Sequence, residues 1–157
     1  MVKVNLIAVG SVKEKYFSEG IEEYKKRLKK YCSFNIIEVS EESYYKENEG
    51  NVDKIKEKEG ERIISQLSGY VILCSIDGKK VSSTSFADKI KKITDEKGGV
   101  ITFVIGGSHG VSKEVEDRAN EKISFSDLTF PHTLFRLMLT EQIYRAFSIL
   151  AGSAYHK

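Results

Sequence analysis

Short, almost unbroken apolar runs alternate along this chain with longer stretches whose apolar residues recur every three or four positions. Lys3–Val9 (KVNLIAV) is such a run, closed by Gly10, and predicts a strand buried on both faces. Over residues 13–30 the period changes: Tyr16, Phe17, Gly20, Ile21, Tyr24 and Leu28 stand among Lys and Glu, as on an amphipathic helix. Residues 34–39 (FNIIEV) predict a second strand, and the polar, acidic residues 40–51 (SEESYYKENEGN) a surface loop. A helix over 52–67 turns Ile55, Ile63, Ile64 and Leu67 inward and its charged residues to solvent. Residues 70–76 (YVILCSI) read as a third strand, stopped by the turn signal Asp77-Gly78. Ser82 or Ser83 then caps a helix through Ile93, and Gly98-Gly99 ends it. Val100–Ile105 is the fourth strand. After Gly106-Gly107-Ser108-His109-Gly110 come a short helix capped by Ser112, a brief strand over 122–125, and a closing helix over 131–150. Its first turn accommodates Pro131, the one proline of the chain.

Strands that alternate with helices need crossover connections, which predicts one α/β domain over residues 1–157 with a mainly parallel sheet and helices on both faces. The chain carries 31% charged residues and a net charge of +2, so it is an ordinary globular composition with no global basic field to demand a nucleic-acid partner. No stretch has the length of a signal-peptide core or a membrane span. Cys32 and Cys74 stand far apart and read as free thiols of a reducing cytoplasm, and neither they nor His109, His132 and His156 have metal-ligand spacing.

In open parallel sheets ligands bind beyond the carboxyl ends of the strands. Three such ends carry candidates: Cys74 to Gly78, Gly106 to Gly110, and Phe125-Ser126-Asp127-Leu128-Thr129-Phe130. The glycine loop is either a tight turn or a place where a ligand approaches the backbone; it lacks the lysine of a phosphate loop and is not a dinucleotide fingerprint. The 125–130 segment either plugs the core with Leu128 and Phe130 or clamps a flat aromatic ligand between them. On the closing helix His132, Arg136, Thr140 and Tyr144 share one stripe, and Glu141 and Arg145 are spaced as an ion pair. The rest of that helix is apolar nearly all round, which predicts burial by a second subunit and hence a homodimer.

FVIGGSHG (103–110), ISFSDLTFPHTLFRLMLTEQIYRAF (123–147) and the final AYHK (154–157) closely resemble the RlmH family of large-subunit ribosomal RNA methyltransferases, of the SPOUT class. The opening residues 5–28 and KEKEGERI (56–63) are similar to the same family, so the resemblance spans essentially the whole chain. It implies a homodimeric fold with a C-terminal trefoil knot that holds S-adenosylmethionine. The activity it implies is methylation of N3 of a pseudouridine in 23S rRNA, in the helix 69 stem-loop of the assembled ribosome. Carried over by motif, the cofactor contacts fall on Cys74, Gly106, Phe125, Ser126, Asp127, Leu128, Thr129 and Phe130. At Cys74 the family often has Leu. The catalytic or RNA-facing set falls on His132, Arg136, Arg145, Tyr155 and His156, with Tyr144 beside them; the same tail read alone is a frayed terminus. A binding module that kept this fold without the cofactor is the non-enzymatic alternative. A nucleotide hydrolase is the other, and it lacks a phosphate-loop lysine, a serine elbow and metal ligands.

Overall fold

The computed structural model describes residues 1–44 and 48–157. Along the chain come β1 (Lys3–Val9), α1 (Lys15–Leu28), β2 (Ser33–Val39), α2 (Glu49–Ile64), β3 (Tyr70–Lys80), α3 (Ser83–Glu96), β4 (Val100–Ile105), α4 (Lys113–Arg118), β5 (Glu121–Ser124) and α5 (His132–Leu150). The strands form one sheet in the order β2-β1-β4-β3-β5, and every neighbouring pair is parallel. The parallel α/β sheet read from the sequence is therefore the observed architecture.

The two-residue period of the strands sorts their apolar side chains onto two cores. Val4, Leu6 and Ala8 of β1, Ile72 of β3 and Ile101, Phe103 and Ile105 of β4 face α1, α3 and α5. Ile7 and Val9, Val71 and Leu73, and Val104 face the other way, onto Ile63 of α2 and Val115 of α4. A strand apolar at every position is needed because both faces are covered. Gly20 of α1 lets α5 close in: a Cβ there would lie 2.9 Å from Leu137.

Ser82 caps α3 in a reciprocal box with Ser85, and Ser112 caps α4. Two boundaries differ from expectation in ways that matter for the fold. Asp77-Gly78 does not end β3, which runs on to Lys80 because the strand bulges: Cys74 and Lys79 both register with Ile123 of β5. The loop expected over 40–51 gives way at its end to α2, whose N-cap is Asn48, accepting the Asn51 N–H at 3.0 Å. Residues 45–47 of that segment lie outside the described residues. Within one protomer α1 and α3 flank α5 and eight of its residues are buried, while Leu134, Leu137 and Met138 stay half-buried.

Candidate active site

The carboxyl ends of β3, β4 and β5 open into a cleft of about 730 Å³. Of the predicted cofactor residues, Cys74, Gly106, Phe125, Ser126, Leu128, Thr129 and Phe130 all line it, with His132 and Phe135 from the first turn of α5. Asp127 is not among the lining residues; it is 78% exposed and pairs with Lys80 on the rim. Of the 125–130 segment, Phe125 packs on the core against Phe86 and Phe135, but Leu128 does not plug it. Leu128 is 70% exposed and lines the cleft together with Ile76, itself 57% exposed. Two apolar jaws kept in water are costly unless something fills the space between them. The turn is pinned by Ser126: its carbonyl accepts from Ser124 Oγ at 2.9 Å and its hydroxyl accepts the Leu128 N–H at 3.0 Å.

Gly110 has φ of 83°, the left-handed region that glycine favours, and a Cβ there would meet none of the described residues within 4 Å. At Gly106 a Cβ would crowd Val111 at 2.7 Å. The loop therefore presents bare backbone to the cleft. Burial pushes the Cys74 thiol up to about 12, so at neutral pH it is a small apolar wall and not an anion.

The remaining candidates sit elsewhere. Arg145 gives Nε (3.0 Å) and Nη2 (2.6 Å) to Glu141 Oε1, and Nη1 lies 3.2 Å from His156 Nδ1. A guanidinium only donates, so Nδ1 accepts and Nε2 carries the imidazole proton. Tyr155 donates its hydroxyl to Glu141 Oε1 at 3.0 Å, and its ring lies 4.7 Å beneath the Arg145 guanidinium. Burial, followed by the bonds with Tyr24 and Glu141, pushes the Tyr155 phenol well above its ordinary range, so it keeps its proton. Hydrogen bonding to Glu141 likewise holds Arg145 above the ordinary guanidinium value. Tyr24 and Arg27 of α1 extend this cluster, and periodicity had marked Tyr24 only as core. His132 and Arg145 are 13 positions apart on one helix, about 20 Å. Within one protomer the tail cluster and the cleft are thus separate.

Arg136 belongs to neither group. It is 2% exposed, donates Nη1 to Glu38 Oε2 at the end of β2 and Nη2 to the Gly10 carbonyl at 3.2 Å, and so ties α5 to the ends of β1 and β2. Arg136→Ala removes both bonds; because Glu38 is half-exposed and can rehydrate, the expected loss is about 2 kcal/mol in urea unfolding, below that of a fully buried pair.

Glu59 was expected on the solvated face of α2, and this is corrected: it is 4% exposed. The signal was present, since Glu59 lies four residues from Ile55 and from Ile63 on the buried stripe. Burial raises its carboxyl above the ordinary value, opposed by the Glu42 N–H. Among the described residues no group of three or more His, Cys, Asp or Glu could hold a metal, and no helix is long and apolar enough to cross a membrane.

Parallel strands whose ends frame a glycine loop and an apolar clamp make a place for a small ligand. A family profile described as "Predicted SPOUT methyltransferase" matches residues 2–156. At the level of fold, a "probable methylase family protein" from Haemophilus influenzae Rd KW20 superposes with a TM-score of 0.50 at 14% identity, covering 99% of this chain and 70% of that one. A candidate RNA methyltransferase from Bacillus anthracis also reaches 0.50, at 12% identity, covering 98% and 99%. The profile places the chain in the SPOUT class of methyltransferases, and the two structures share its fold. Curated proteins named ribosomal RNA large subunit methyltransferase H are much closer in sequence. The one from Latilactobacillus sakei subsp. sakei (strain 23K) is 48% identical over 159 residues, 99% of this chain and all of that protein. That from Bacillus pumilus (strain SAFR-032) is 47% identical with the same coverage. The chain belongs to the ribosomal RNA large subunit methyltransferase H family. Its cofactor is S-adenosylmethionine.

Proposed function

We propose that this protein methylates N3 of a pseudouridine in 23S rRNA, in the helix 69 stem-loop of the assembled ribosome, as a cytoplasmic homodimer. Ribosomal RNA methylation rests on the family; the position, the ribosomal context and the dimer are our reading. The observation that carries it is the cleft, joined to a charged tail cluster on the same helix.

The cleft suits the cofactor. Its volume falls within the range of small-molecule sites, and Leu128 and Phe130 offer apolar surface to a purine while Gly106 allows close backbone approach. When bound, S-adenosylmethionine supplies an electrophilic methyl group, and in this reading the C-terminal trefoil knot holds it. The protein's residues then need to position a nucleobase and ease loss of its N3 proton. Arg145, fixed by Glu141, places a cation where the imide becomes anionic. His156, whose Nε2–H is turned away from Arg145, donates to a base carbonyl, and the Tyr155 ring stacks on the extruded nucleotide. His132, at the cleft itself, is the residue placed to take up the proton. Since about 20 Å separates cleft and tail in one protomer, a complete site takes its tail from a second subunit, packed through the half-buried Leu134, Leu137 and Met138 face of α5.

Mass spectrometry of rRNA from ribosomes incubated with protein and isotope-labelled cofactor is the test. One labelled methyl on a pseudouridine is expected; no added methyl there overturns the reading. Leu128→Ala, at an exposed jaw, is expected to weaken S-adenosylmethionine binding about tenfold in calorimetry, the cost of losing part of one side chain's apolar contact, with an unchanged melting temperature.

A further inference from the structure

Behind the glycine loop stands a buried carboxylate only half of which is used. Glu59 Oε2 accepts the Glu42 N–H at 3.0 Å. Oε1 has no partner among the described residues, and it points at the loop: a Cβ on Gly107 would lie 2.8 Å from it. A buried acceptor oxygen with no donor is a costly arrangement unless a donor arrives. One residue further along α2, a Cβ on Gly60 would fall 2.5 Å from the Ser112 hydroxyl that caps α4. So α2 presses on both ends of the segment between β4 and α4, at Gly107 and at Ser112. Gly106, Gly107, Ser108 and Gly110 of the same segment line the cleft. The titratable and charged side chains around Glu59 are Glu41, His109 and Arg62.

We infer that Glu59 is a positioning residue for the methyl-donor loop: its free carboxylate oxygen accepts backbone N–H groups of residues 107–109 when the loop closes on the cofactor. Glu59 does not touch the cleft, so it acts on affinity through the loop. This rests on the reading of the cleft as the S-adenosylmethionine site.

Glu59→Gln separates this role from simple packing. Glutamine fills the same space but has one acceptor oxygen; satisfying Glu42 turns its amide donors toward the loop N–H groups. In calorimetry the full-length variant is expected to bind S-adenosylmethionine about tenfold more weakly, with turnover at saturating cofactor within about twofold of the unaltered protein. Its melting temperature at pH 7 is expected at or above that of the unaltered protein. The folded state holds the Glu59 proton more tightly than the unfolded chain, so ionisation as pH rises subtracts stability that glutamine does not lose. Glu59→Asp, too short to reach both partners, is expected to weaken binding as well. Normal cofactor affinity in Glu59→Gln, or a joint fall in melting temperature and saturated turnover, overturns the role of Glu59. Normal affinity in Leu128→Ala too would overturn the cleft assignment beneath it.

Discussion

Deleting Tyr155, His156 and Lys157 is expected to lower rRNA methylation at least about a hundredfold while leaving the affinity for S-adenosylmethionine unchanged. The size follows from the loss of a preorganised donor set at a developing anion, where one group contributes about 10²–10³ in rate. The tail does more than add groups. The Tyr155 ring carries the Arg145 guanidinium at 4.7 Å, meets Tyr144 edge-on at 4.8 Å, and shares Glu141 with Arg145. Without it Arg145 keeps its ion pair but loses the surface that fixes its plane. Cofactor affinity is spared because none of the three residues lines the cleft. Single-turnover methylation of ribosomes and calorimetry on the same preparation check both halves. Unchanged turnover would remove the tail from the site.

Gly78→Ala is expected to cost about 3 kcal/mol of stability, the upper end for overpacking, and to abolish cofactor binding. A Cβ at this position would stand 2.6, 2.7 and 2.8 Å from the C, N and Cα of Ile123. All three are backbone atoms of β5, so no rotamer change relieves the contact. Relief requires parting β3 from β5 at the bulge, and the clamp of residues 125–130 follows directly from β5. Gly50→Ala in the first turn of α2 is the control. Among the described residues its Cβ would meet only Asn48 Oδ1 at 3.6 Å, so the change should raise stability by about 0.5–1 kcal/mol. Urea unfolding of the pair, with cofactor titration, checks the contrast; a Gly78 variant as stable as the Gly50 one would mean the strands do not meet so closely.

Much of the sheet was legible in the sequence because strands covered on both faces leave a nearly unbroken apolar record, as in Lys3–Val9 and Val100–Ile105. What escaped was set by contacts distant in sequence. Asp77-Gly78 has the chemistry of a turn, and only its pairing with β5, some 45 positions on, keeps it in a strand. Arg136 was legible as a polar residue on a buried stripe. Its partner Glu38, 98 positions away, was not, and that partner ties it to the ends of β1 and β2. Glu59 was hidden by its neighbours: in a run of Lys and Glu, one acid on the Ile55–Ile63 stripe looks like the rest unless helical position is counted residue by residue. The separation of cleft and tail along α5 could have been read from spacing alone, since it needs only the rise of a helix.

The protonated state of Cys74 bears on the protein's own survival. A sulfonium methyl group is an alkylating agent, and a cysteine thiolate is the side chain most readily alkylated. Thiol chemistry would turn a cleft that houses both into a suicide site. Burial raises the thiol, so the thiolate is scarce at neutral pH. On the reading of the cleft as the S-adenosylmethionine site, a protonated Cys74 lets the bound methyl donor rest beside it unreacted.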